Sequence, residues 1–329
     1  MFNFDELILD LYENASDIYL KSNRKPLYKE KGIIKECNVI YTVDDERLLL
    51  EKLFKNEYVR EYFNKNGDAD ISWSCKTLDK IANLRLNVFK DSNGISIAIR
   101  IFPSEIMRPV EAKIPSGLID KIMTCDRGLV LVCGPTGSGK TTTISSIIDY
   151  INTYESRRII CIEDPIEYRY TEKKSIISQR EIGSHCKSFE HGLKAALRQD
   201  PDIIMIGELR DRETVRTALM AAETGHLVFS TLHTSNTTEA VDRIVQYFPA
   251  DEQDFARNEL AGSFNAIVTQ KLLKTQQGLY PVFELCYNTP AICNLIRKGS
   301  SNMLQSYMNI DGMITMERAV NKLSYLGIG

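Results

Sequence analysis

Apolar residues at Phe4, Leu7, Ile8 and Leu11 recur at i, i+3, i+4 and i+7, which predicts one buried face of a short helix. Further along, the period drops to two. Residues 84–89 alternate, Asp91-Ser92-Asn93-Gly94 is turn chemistry, and Ile95, Ile97, Ile99 and Ile101 alternate again, so this stretch predicts a β-hairpin. If residues 91–94 form the loop, Lys90 faces Ile95 and Arg85 stands directly opposite Arg100. The leucines, valine and isoleucines then share one face, while Arg85, Asn87, Ala98 and Arg100 share the other. Like charges directly opposite are unfavourable, so the pair calls for an anion between them or a compensating acid.

Residues 103–115 carry three prolines and mixed charges, which disfavours regular structure and predicts a linker over 104–116. Beyond it, short apolar runs at 129–133, 159–162, 203–206 and 227–230 alternate with helical patterns. This alternation predicts a mainly parallel sheet covered by helices on both faces, hence an α/β fold. Roughly the last 70 residues read as mainly helical.

The chain has 329 residues, enough for two cores, expected over 1–103 and 117–329. Its net charge of -3 supplies no global positive field, so nucleic acid is not an expected partner. The N-terminus starts acidic and lacks signal-peptide character, and no run approaches the ~20 apolar residues that cross a bilayer. Eight cysteines without a C-x-x-C pair, several inside apolar runs, read as reduced buried thiols.

Gly134-Pro135-Thr136-Gly137-Ser138-Gly139-Lys140-Thr141 matches G-x-x-x-x-G-K-[ST] in full. A strand precedes it. Ile144, Ile147, Ile148 and Ile151 mark an amphipathic helix after it, so backbone N–H groups and the helix N-terminus converge on a phosphate. Residues 134–142, Thr142 included, form the expected nucleotide cradle, with Lys140 reaching the β- and γ-phosphates and Thr141 ligating Mg²⁺. Two acidic segments follow other strands, Glu163-Asp164-Pro165 and Gly207-Glu208-Leu209-Arg210-Asp211. Acids in such places also cap helices, but alongside a phosphate loop they favour hydrolysis.

Residues 197–211, Leu-Arg-Gln-Asp-Pro-Asp-Ile-Ile-Met-Ile-Gly-Glu-Leu-Arg-Asp, resemble the signature of the type II secretion and type IV pilus ATPase family. Ile162-Glu163-Asp164-Pro165-Ile166-Glu167-Tyr168 resembles its Asp box; Thr224-Gly225-His226 and Thr231-Leu232-His233-Thr234 resemble its His box. Ala15-Ser16-Asp17-Ile18-Tyr19-Leu20 and Gln179-Arg180-Glu181-Ile182-Gly183 extend the likeness over nearly the whole chain. Residues 289–298 resemble the helix associated with PilT-type retraction motors, departing from it at Cys293 and Lys298.

The resemblance implies a PAS-like N-terminal domain followed by a RecA-like ATPase domain, with ATP and Mg²⁺ as ligands. By it, Glu163 is the general base, and Glu208 is an atypical Walker B acid supporting Mg²⁺ directly or through water. His226 and His233 sense or contact the γ-phosphate across the moving parts of the ring, and Arg85 with Arg100 is the arginine pair that closes over it. The implied assembly is a homo-hexamer at the cytoplasmic face of the inner membrane, acting on a platform protein, with the pilus assembly ATPase as a further partner. Retraction is the expected work. The absence of a long N-terminal extension and a four-cysteine module weighs against the alternative, an assembly or type II secretion ATPase. A nucleotide-gated binding module with little hydrolysis is the alternative from another class.

Overall fold

The computed structural model describes residues 2–30, 32–76, 81–102, 105–276 and 278–325. Contacts divide the chain into two compact units, Met1–Glu105 with Pro165–Arg169, and Ile106–Asp164 with Tyr170–Gly329.

In the first unit α1 (Phe4–Leu11) is the amphipathic helix expected from its spacing, burying Phe4 and Ile8, and the Asn3 side chain caps its first N–H groups. Strands β1 (Asp17–Lys21), β2 (Leu27–Glu30) and β3 (Ile33–Glu36) precede α2 (Val43–Leu53) and α3 (Glu57–Asn66). Strands β4 (Asp68–Lys76), β5 (Ile81–Asp91) and β6 (Gly94–Phe102) complete an antiparallel sheet of order β3-β2-β1-β6-β5-β4. Ile18, Leu20, Leu84, Leu86, Val88, Ile97 and Ile99 form a core with Phe4, Ile8, Leu49, Leu53 and Phe63 from the helices. Asp91 pairs with Gly94, Lys90 with Ile95 and Arg85 with Arg100, the register the turn predicts.

The second unit begins with the stretch expected to be a linker. Its residues 103–104 lie outside the described residues, and from Ile106 onward it is not an open connection. Arg108 pairs with Glu111, backbone bonds close turns over 108–114, and Ile114 enters the core of this unit. After α4 (Ser116–Met123) come β7 (Gly128–Cys133), α5 (Lys140–Tyr154), β8 (Arg158–Glu163) and β9 (Ile176–Glu181). Then follow α6 (Phe189–Ala196), β10 (Ile203–Ile206), α7 (Arg212–Glu223), β11 (Leu227–Leu232), α8 (Thr237–Gln246) and α9 (Gln253–Ser263). The sheet order is β13-β12-β7-β11-β10-β8-β9, where β12 (Phe264–Thr275) and β13 (Gly278–Tyr287) form a hairpin. Every pair is parallel except β12 with β13. β7, β10 and β11 are buried at every position, which is why they read as unbroken apolar runs.

The hairpin corrects the mainly helical expectation for the last part of the chain. Short helices α10 (Pro290–Arg297), α11 (Leu304–Tyr307) and α12 (Met316–Tyr325) do follow it. On α10, Cys293 is buried, its Sγ lying 2.8 Å from Asn288 Oδ1 and 3.2 Å from the Ala261 carbonyl oxygen, either of which can accept its one hydrogen. The residue at 293 therefore serves the packing of α10. Lys298 caps the helix from an exposed position, where a cation suits the C-terminal dipole.

Glu284 of β13 is fully buried, and its carboxylate ties two helices to the sheet. Oε1 accepts from the Thr237 N–H at 2.7 Å and Oε2 from the Met316 N–H at 3.0 Å, the first residues of α8 and α12. The free donors and partial positive charge of a helix N-terminus make each a fitting partner for a carboxylate.

Candidate nucleotide site

Strand β7 delivers the chain into the glycine loop, and the loop delivers it into α5. Gly134 turns the corner at φ 151°, where a Cβ would lie 2.4 Å from the Gln270 carbonyl oxygen, so only glycine fits. Gly139, at φ 87°, is the N-cap of α5. Pro135, Thr136 and Gly137 are exposed, whereas Ser138 and Lys140 are buried, so the tip faces solvent over a packed base. Thr141 and Thr142 sit in the first turn of α5, and next to them Thr143 Oγ1 donates to Gln270 Oε1 at 2.6 Å. Gln270 thus supports the loop with both its backbone and its side chain. In the sequence Gln270 sits in a polar trio, Thr269-Gln270-Lys271, between apolar residues, which does not single it out.

Lys140 Nζ donates to the carbonyls of Gly134 at 2.9 Å and Pro135 at 3.0 Å, and lies 3.5 Å from His233 Nδ1. An ammonium has no lone pair, so Nδ1 is the bare nitrogen at that contact and Nε2 carries the hydrogen. Nε2 is 3.7 Å from Glu208 Oε2. Burial, and then the charge of Lys140, hold the His233 pKa below the ordinary histidine value, which favours this neutral ring.

The acids lie along the same edge of the sheet, because β7, β11, β10 and β8 are parallel neighbours and all end there. Glu208 follows β10, and its flanking backbone is pinned. Thr231 Oγ1 donates to the Gly207 carbonyl at 2.6 Å and the Tyr247 hydroxyl to the Leu209 carbonyl at 2.9 Å. The Arg210 guanidinium pairs with Glu208 Oε1 and stands 3.5 Å from Asp164 Oδ2, and the bond to Glu208 raises its pKa. Glu163, the last residue of β8, is 4% exposed and accepts from Gln179 Nε2 at 2.9 Å. Neither Arg210 nor Gln179 had been given a role in the sequence, although both lie inside the motifs that carry the family resemblance.

His226 is not part of this edge. It precedes β11, its carbonyl accepts from the Gly128 N–H at 3.0 Å at the start of β7, and its Nδ1 lies 3.0 Å from the Ala221 carbonyl. Gly134 is at the other end of β7, ~20 Å away at ~3.3 Å per strand residue. His226 therefore ties the C-terminus of α7 to the far edge of the sheet and cannot reach a phosphate on this chain's own loop.

In the first unit each arginine has its own acid. Arg85 pairs with Asp70 at 3.0 Å and Arg100 with Asp17 at 3.1 Å, so compensating carboxylates resolve the like-charge opposition. These four residues, with Tyr19, Asn87 and Ala98, line a shallow concavity of about 260 Å³.

Among the described residues no three His, Cys, Asp or Glu side chains form a metal cluster. The hydroxyl of Thr141 and the carboxylate of Glu208 are hard oxygen donors of the kind Mg²⁺ takes when phosphates and waters complete its shell, so the donor set fits. With Arg210 on one oxygen and His233 near the other, Glu208 is better arranged to hold an ion through water than directly.

A strand, glycine loop and helix, with acids at the ends of adjoining parallel strands, define a P-loop ATPase. The family model "Type II/IV secretion system protein" matches residues 12–279, and the chain belongs to that family. It is 42% identical over 322 residues to the uncharacterized protein YggR of Escherichia coli strain K12, covering 96% of this chain and 97% of that protein. It is 36% identical to the type IV pilus retractation ATPase PilT of Pseudomonas aeruginosa, covering 93% and 88% respectively. The crystal structure of the pilus retraction motor PilT with bound ADP superposes with a TM-score of 0.91 at 39% identity, covering 100% of this chain and 95% of that one. No helix of the described residues is long and apolar enough to cross a membrane.

Proposed function

We propose that this chain is a motor ATPase of the retraction type, working as a hexameric ring on an inner-membrane platform protein at the cytoplasmic face of the membrane. The observation that carries the hydrolytic part is the buried Glu163 carboxylate, oriented by a hydrogen bond at the edge that also bears Lys140. The likeness to a retraction ATPase and a retraction motor over almost the whole chain supports the mechanical part.

Backbone N–H groups of the loop and the N-terminus of α5 hold the phosphates, and Lys140 exchanges the Gly134 and Pro135 carbonyls for phosphate oxygens. Glu163 takes a proton from water as the water oxygen bonds to the γ-phosphorus and the bond to the β-phosphate oxygen breaks. Mg²⁺ would be held by Thr141 and, through water, by Glu208, and when bound would supply neutralising charge at the phosphates. Neutral His233 connects Lys140 with Glu208 and senses which of them is engaged. Arg85 and Arg100 supply further positive charge to the γ-phosphate, each exchanging its carboxylate for a phosphate oxygen. Arg85→Ala or Arg100→Ala should therefore cut turnover at least about tenfold with nucleotide affinity little changed. Steady-state ATPase assays with a parallel nucleotide titration check this, and near-normal turnover in both variants removes the role.

Pilus length in cells deleted for this chain tests the whole reading. Loss of the protein, or its replacement by Lys140→Ala, should give hyperpiliated, non-retracting cells. Bald cells would assign it to assembly instead, and cells restored by Lys140→Ala would dispense with hydrolysis.

A further inference from the structure

Gln179 lies on β9, where the register sets Cys161 opposite Gln179 and Glu163 opposite Glu181. It is thus the diagonal neighbour of Glu163 on one face of the sheet. Its side chain makes two bonds of opposite sense. Oε1 accepts from the Tyr170 N–H at 3.2 Å, and Nε2 donates to Glu163 Oε1 at 2.9 Å. A backbone N–H can only donate, so the carbonyl end of the amide must face Tyr170 and the NH₂ end must face Glu163. Chain direction thereby dictates the amide orientation. The consequence falls on the acid: one carboxylate oxygen is bound by a neutral donor that cannot take or give a proton in this range of pH.

We infer that Gln179 is a positioning residue for Glu163. It rests on the reading of Glu163 as the base. The amide holds the carboxylate in one rotamer and, by donating to it, favours the charged form that can accept a proton. No other neutral side chain does this as well at position 179. Methionine keeps the length but donates nothing, and glutamate satisfies Tyr170 while setting a second carboxylate against Glu163, which itself stands opposite Glu181. Gln179 does not touch the reacting atoms in this scheme; it acts through Glu163 alone.

The test uses full-length protein and compares Gln179→Met and Gln179→Glu with wild type and Glu163→Gln. Turnover is followed against pH, and affinity is measured separately with ADP. Gln179→Met should lower kcat at least about tenfold while KM for ATP stays within about twofold, because an orienting bond is lost and the phosphate cradle is untouched. In both variants the acid limb of the kcat profile should move to higher pH, further in Gln179→Glu, since a second carboxylate opposes ionisation of the first. A purely structural role would lower ADP affinity or thermal stability and leave the acid limb in place. An unmoved acid limb in whichever variant folds, with Glu163→Gln inactive, overturns the positioning role. An active Glu163→Gln overturns the base reading, and the inference falls with it for that separate reason.

Discussion

Steady-state ATP turnover should fall ~10²- to 10⁴-fold in Glu163→Gln, the range that removal of a general base costs. Affinity for nucleotide should stay within about threefold, because the cradle is made by the loop and α5, and Glu163 stands at the end of a different strand. Gln179 would then face an amide in place of a carboxylate, a change of charge with no change of volume. Folding should therefore be spared, and a melting curve alongside the assay separates lost chemistry from lost structure. Turnover within about tenfold of wild type would remove Glu163 from the role of base and leave the water to be activated by the phosphate itself.

The largest effect on stability is expected at Glu284. Truncation to alanine leaves the buried Thr237 N–H and the half-buried Met316 N–H without their acceptor, at about 1–3 kcal/mol for a buried donor, and opens a cavity besides. A loss of about 3–5 kcal/mol corresponds to a drop of roughly 6–20 °C for a unit of this size, readable by calorimetry. Glu284→Gln keeps the shape but turns an NH₂ toward one of the two donors, so it should fall between alanine and wild type. A melting point for Glu284→Ala within about 2 °C of wild type would show that α8 and α12 hold their places without it.

Much of the fold was legible because its signals are local. Strands buried on both faces left unbroken apolar runs, the turn at 91–94 set a register that put Arg85 against Arg100, and Gly134 and Gly139 marked the two ends of the phosphate loop. The hairpin of β12 and β13 escaped for physical reasons. Pro281 argues against a strand, yet β13 is the edge of its sheet, where a missing donor is tolerated. β12 is buried on both faces at its start and half-exposed at its end, so it shows no clean alternation. His226 and His233, grouped by motif, stand at opposite ends of β11, a separation that spacing along the chain does not show. Gln179, Gln270 and Arg210 act through partners fixed by tertiary pairing, which no periodicity encodes.

The support beneath the phosphate loop has a consequence for the order in which the molecule is made. Thr143 and its partner Gln270 are separated by 127 positions. On the ribosome the glycine loop emerges long before β12, and until that strand arrives Gly134 lacks the Gln270 backbone it packs against and Thr143 lacks its acceptor. The loop therefore takes its packed form only once β12 has been made. A nascent chain halted before β12 would carry the complete motif, and still lack the floor that gives the motif its shape.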